Sequence, residues 1–106
     1  MFGLRDDDID YIRRSLALFP SVETAVIFGS RAKGTHAPGS DVDIAVVGPD
    51  VDLDVVSRLH SRLEDESPMP YFFDVVDYYR IDNPALKEHI DRVGVVFYRR
   101  GEPSRG

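Results

Sequence analysis

The chain contains no cysteine and no tryptophan among its 106 residues. Without thiols there is no disulfide framework, no thiolate nucleophile and no cysteine-based zinc site. No apolar run approaches the ~20 residues that a membrane-spanning helix needs. The start, MFGLRDDDID, turns acidic where a signal peptide would carry its apolar core. Positive charge is also scarce: 13 Lys and Arg face 19 Asp and Glu, for a net charge of -6. An acidic surface repels phosphate backbones, which disfavours direct binding to nucleic acid. No internal repeat or low-complexity segment interrupts the chain. These absences lead to the expectation of a cytoplasmic protein with no membrane partner.

What is present fits one soluble domain. Hydrophobic residues make up 42% and charged residues 30%, an ordinary balance for a globular chain of this length. Residues 6–19 read as a helix, with Asp6 and Asp7 capping its start and Ile9, Ile12, Leu16 and Phe19 forming one apolar stripe. TAVIF at 24–28 and DVDIAVV at 41–47 read as buried strands. Between them lies a long loop with Gly34, Pro38 and Gly39. Residues 52–66 read as a second helix and YFFDVVDY at 71–78 as a third strand. Asn83-Pro84 marks another helix start, and Gly94 its end. Residues 95–98 suggest a last strand, and RRGEPSRG a disordered polar tail. The order α-β-β-α-β-α-β predicts an α/β (α+β) fold: a small mixed sheet with helices packed against it. The domain is expected over 1–98, with the tail at 99–106.

The loop after the first strand carries the chemistry. Gly29-Ser30 is followed by ten residues and then Asp41-Val42-Asp43. Residues two apart in a strand face the same side, so Asp41 and Asp43 project together. Two carboxylates on one face repel each other unless a cation joins them. Such oxygen ligands suit Mg²⁺, which completes its shell with substrate phosphates. Gly29 permits close backbone approach, Ser30 and nearby N–H groups can hold phosphate oxygens, and Arg31 and Lys33 add positive charge. A third carboxylate should complete the site. Asp74 and Asp77 are an odd number apart and face opposite sides of their strand. Asp74 is the better candidate, because a mid-strand Asp is costly unless paired or metal-bound, whereas Asp77 suits a surface role near the strand end. His36, His60 and His89 read as surface residues, and Tyr78, Tyr79 and Tyr98 as core or interface. Arg80 is left between phosphate neutralisation and pairing with a local Asp.

The stretch GSRAKG…SDVDIAVV, within Val26 to Val47, resembles the signature of the polymerase-β nucleotidyltransferase superfamily. FFDVVDYYRIDNPALKEHIDRVGVVFY resembles the end of its minimal nucleotidyltransferases, the MNT proteins. The resemblance implies a polymerase-β-like fold and an antitoxin paired with a HEPN-domain toxin, in a type VII-like system. It further implies that Asp41, Asp43 and Asp74 bind metal and act in catalysis, while Gly29 and Ser30 hold the nucleotide triphosphate. The implied reaction moves AMP from ATP to a tyrosine hydroxyl of the toxin, with two Mg²⁺ ions and release of pyrophosphate. Two alternatives stay open: neutralisation by stoichiometric binding with a vestigial site, or an aminoglycoside-type transfer to a small molecule.

Overall fold

A computed structural model describes residues 1–37 and 39–101. Its elements are α1 (Asp6–Ala17), β1 (Thr24–Phe28), α2 (Gly29–Lys33), β2 (Val42–Val47), α3 (Leu53–Glu64), β3 (Phe73–Asp77), α4 (Pro84–Val93) and β4 (Val95–Arg99). The strands form one sheet in the order β3-β2-β1-β4. β1 pairs antiparallel with β2 and β4, whereas β2 and β3 are parallel. The mixed sheet follows from connection length. A parallel pair needs a crossover, and α3 supplies it.

Side-chain alternation divides the sheet into two faces. Ala25 and Ile27 of β1, Val42, Ile44 and Val46 of β2, and Phe73 and Val75 of β3 point into the main core. There they meet Ile12 and Leu16 of α1 and Leu59 and Leu63 of α3, all fully buried. Each such side chain contributes about 1.5–3 kcal/mol by leaving water. A polar lock adds orientation to this packing. Tyr11 donates to the Arg62 carbonyl at 3.2 Å, and Arg62 Nε donates to Ser15 Oγ at 3.0 Å. The opposite face carries a smaller cluster of Phe28, Ala45 and Ile90, covered by α4.

Four local readings change. Arg5, not Asp6 or Asp7, is the N-cap of α1, and its backbone N–H is held by the Asp8 carboxylate at 3.2 Å. The segment after β1 is not wholly loop, since its first five residues coil into α2. β3 is shorter than its apolar run, because Tyr78–Arg80 tighten into a 3-10 turn. At the other end β4 continues through Arg99, and the Arg100 N–H donates to the Glu23 carbonyl at 2.8 Å. The remainder of the expected tail, 102–106, lies outside the described residues. Among the described residues, no helix is long and apolar enough to cross a membrane.

Candidate active site

The end of β1 and the starts of β2 and β3 meet at one end of the sheet. Phe28 lies opposite Asp43 in the antiparallel register, and Asp43 lies opposite Asp74 in the parallel one. Neighbouring strands run about 4.8 Å apart, so Asp43 and Asp74 stand side by side. Both project from the α4 face, because Val42, Ile44, Phe73 and Val75 occupy the other. Asp43 is half-buried, whereas Asp41 and Asp74 are exposed. The Asp43 carboxyl is pushed up to about 6. Burial is the main cause, the charges of Asp74 and Asp41 add to it, and Arg31 opposes them. The three acids therefore share one electrostatic field.

Gly29 sits directly beneath this field. Its φ of +72° lies in the left-handed region, which side-chain-bearing residues avoid. A Cβ there would also collide with the Asp43 carboxylate oxygen Oδ2. Gly29 opens α2, whose first N–H groups have no partner within the helix. Ser30 follows, half-buried, and Lys33 is exposed at the last turn. Gly34 closes the helix in the left-handed conformation at φ 77°.

Arg31 is placed otherwise than its expected role at the nucleotide. Its side chain is 3% exposed, and its donors are taken by the protein itself. Nε and the Nη2 group reach the Ser40 carbonyl at 3.1 and 2.7 Å, and Nε also reaches the Asp41 carbonyl at 3.3 Å. Nη1 reaches the Phe2 carbonyl at 2.9 Å, and the guanidinium lies 4.8 Å from the Tyr71 ring centroid. Arg31 thus ties the N-terminal segment to the loop entering β2 and fixes the backbone that carries Asp41. Nothing in the sequence distinguishes this buried clamp from a phosphate-binding arginine of the same loop.

Other expectations also shift. Asp74 avoids the cost assigned to a mid-strand acid because β3 is an edge strand and leaves it exposed. Asp77, expected at the surface, is nearly enclosed, its side chain 9% exposed and paired with Arg80 at 3.1 Å. This pair settles the local partner of Arg80. His89 packs edge-to-face on Phe28, with ring centroids 6.2 Å apart, which places it beside the motif and not on a free surface. His60 pairs with Glu64 at 2.8 Å, and the same Glu64 oxygen accepts from the Phe73 N–H at 2.8 Å. Glu64 therefore anchors the start of β3, one residue before Asp74. The spacing from 64 to 73 gives no sequence signal for that contact. An open hollow lined by Pro84, Lys87, Glu88, Asp91 and Arg92 lies along α4 and includes none of the three acids.

Among the described residues no three or more His, Cys, Asp or Glu side chains are gathered closely enough to hold a metal ion. Asp43 and Asp74 are nonetheless cross-strand neighbours with Asp41 just ahead, oxygen donors whose mutual repulsion Arg31 offsets only in part. That donor chemistry fits a hard divalent cation that also takes ligands from water and phosphate.

Residues 10–103 match the family described as polymerase beta, nucleotidyltransferase. The chain belongs to the polymerase beta nucleotidyltransferase family. Solved structures share the fold. A toxin-antitoxin complex with AMP-PNP is 24% identical, with a TM-score of 0.69 over 92% of this chain and 76% of that one. A tri-AMPylated HEPN toxin in complex with MNT antitoxin, from Shewanella oneidensis, is 21% identical, with a TM-score of 0.67 over 88% and 71%. The toxin-antitoxin MntA-HepT is 21% identical, with a TM-score of 0.66 over 87% and 70%. Among the curated proteins none matches the chain.

Proposed function

We propose that this nucleotidyltransferase is the antitoxin of a HEPN toxin and silences it by transferring AMP from ATP to a tyrosine hydroxyl. The observation that carries the reading is the run across three strands: Gly29 after β1, Asp43 on β2 and Asp74 on β3, with Asp41 just ahead. This is a phosphate-approach turn beside a row of carboxylates, the layout that phosphoryl transfer needs. The structural likeness to an MNT antitoxin in complex with a tri-AMPylated HEPN toxin, and to a toxin-antitoxin with AMP-PNP, supports the choice of acceptor.

Asp41, Asp43 and Asp74 would hold Mg²⁺. When bound, the metal neutralises phosphate charge and lowers the pKa of an attacking hydroxyl. Ser30 and the free N–H groups at the start of α2 hold phosphate oxygens, and exposed Lys33 adds a cation for the outer phosphates. Gly29, lacking a Cβ, leaves room for both the Asp43 carboxylate and the phosphate beside it. Arg31 holds the loop so that Asp41 stays at the entrance of β2. The acceptor oxygen attacks the α-phosphorus, the bond to the β-phosphate bridging oxygen breaks, and pyrophosphate departs. Asp74, exposed at the outer strand, accepts the proton of the attacking hydroxyl.

The test combines purified chain, ATP, Mg²⁺ and its neighbouring HEPN protein. Mass spectrometry should show the HEPN protein heavier by AMP on tyrosine, with its ribonuclease activity lost. An unmodified partner that keeps its ribonuclease activity refutes the reading. Inhibition without added mass supports stoichiometric binding instead.

A further inference from the structure

Phe72 is the most conspicuous apolar side chain near the acids. It is 71% exposed, yet its backbone is fixed. Its carbonyl accepts the Val42 N–H at 2.9 Å, extending the β2–β3 ladder by one residue. Phe73 turns into the core and is 4% exposed. Alternation then places Phe72 on the same side as Asp74, two residues on. An aromatic ring is thus held without cover on an edge strand, beside the outermost carboxylate. The other exposed apolar residues do not share this position. Met1 precedes α1 and Leu18 follows it, Leu53 opens α3, Tyr79 lies in the 3-10 turn beyond the far end of β3, and Val95 and Val96 lie on β4 at the opposite edge of the sheet.

The order of the strands says what Phe72 faces. Attacking and leaving oxygens lie roughly in line across the transferred phosphorus. With phosphates held at the start of α2, next to β1, pyrophosphate leaves on that side. The nucleophile then enters from the β3 side, past Asp74 and Phe72. The exposed carboxylates of Asp41 and Asp74 repel an anionic acceptor there and tolerate a neutral phenol.

We infer that Phe72 is a specificity residue for the acceptor, packing against the ring of the tyrosine that receives AMP. The inference rests on the proposed function and adds the acceptor's binding contact. The α-phosphorus–pyrophosphate bond breaks and the phenol oxygen–phosphorus bond forms, with the phenolic proton passing to Asp74. Phe72 takes no part in these steps and acts only by orienting the ring.

The test compares wild type, Phe72→Ala and Phe72→Tyr with the intact HEPN protein as acceptor, measuring KM for acceptor and for ATP separately. Phe72→Ala should raise the acceptor KM roughly 3–10-fold, the scale of one aromatic pair, with ATP binding unchanged. Phe72→Tyr, which keeps the ring, should restore the wild-type value. Weaker ATP binding with an unchanged acceptor KM would assign Phe72 to the adenine and overturn the inference. Unchanged kinetics in Phe72→Ala would overturn it as well. A wild-type chain that leaves the HEPN protein unlabelled defeats the underlying reading first, and the inference falls with it. Phe72 is exposed, so thermal unfolding of both variants should match wild type.

Discussion

The Asp43 carboxyl sits where the fold least favours its charge. A rise to about 6 corresponds in the unscreened limit to ~3 kcal/mol. Solvent screening at a half-buried group leaves about 1 kcal/mol. The sign follows from the direction of the shift. The folded chain holds this proton more tightly than the unfolded one, so the stability is present below about pH 4 and lost as pH rises through about 6. In metal-free buffer, Asp43→Asn should therefore be more stable than wild type by about 1 kcal/mol at pH 7. The difference should vanish by about pH 4, near the unfolded carboxyl value, and urea unfolding at both pH values checks it. The same variant should lose AMP transfer. A variant no more stable than wild type at pH 7 would mean that burial and the neighbouring acids do not disfavour the Asp43 charge as their placement implies. Arg31 works in the opposite sense. Arg31→Ala leaves the Ser40 and Phe2 carbonyls without donors and should cost roughly 2–4 kcal/mol in urea unfolding. Unchanged stability with weaker ATP binding would return Arg31 to the nucleotide. The carboxylates were legible because alternation and a fixed spacing reveal a shared face. The clamp was not, because a buried arginine is decided by distant carbonyls.

At the scale of elements, legibility follows the length and punctuation of each segment. α4 announces itself: Asn83 Oδ1 accepts from the Ala85 and Leu86 N–H groups at 2.9 and 3.3 Å, and Pro84 occupies the first turn. Asn83→Ala should cost about 1 kcal/mol, measurable as a lower thermal midpoint with no effect on acceptor KM. α2 has none of these signals. It is five residues long, its N-cap is Phe28 with no side-chain hydrogen bond, and it is too short for an apolar stripe. It forms because Gly29 turns the chain and Arg31 anchors it. Gly94 shows how a correct placement can have a different cause. Its φ of -64° needs no glycine, but a Cβ would strike the Ile90 carbonyl and Val26. Close packing of α4 on β1, not a left-handed cap, demands glycine there.

For the whole molecule, the reactive end of the sheet is built by strand termini instead of by an enclosing cavity. One core of α1, α3 and the sheet fixes β1 and β2 rigidly, and α4 covers the opposite face while leaving Asp74 exposed. Carboxylates held side by side in this way repel one another until a cation neutralises them, so ion binding should couple to global stability. A ligand that binds only the folded state adds about 2.7 kcal/mol at 100 times its Kd. In a domain of this size 1 kcal/mol moves Tm by about 4–8 °C. Adding millimolar Mg²⁺ together with a non-hydrolysable ATP analogue should therefore raise the wild-type Tm by roughly 10 °C or more if the pair saturates. The Asp41→Asn, Asp43→Asn double variant should show little of that rise while starting from a higher metal-free Tm. An equal rise in both chains would mean that the nucleotide and its metal bind elsewhere, and the strand-end carboxylates would lose their assignment as the metal site.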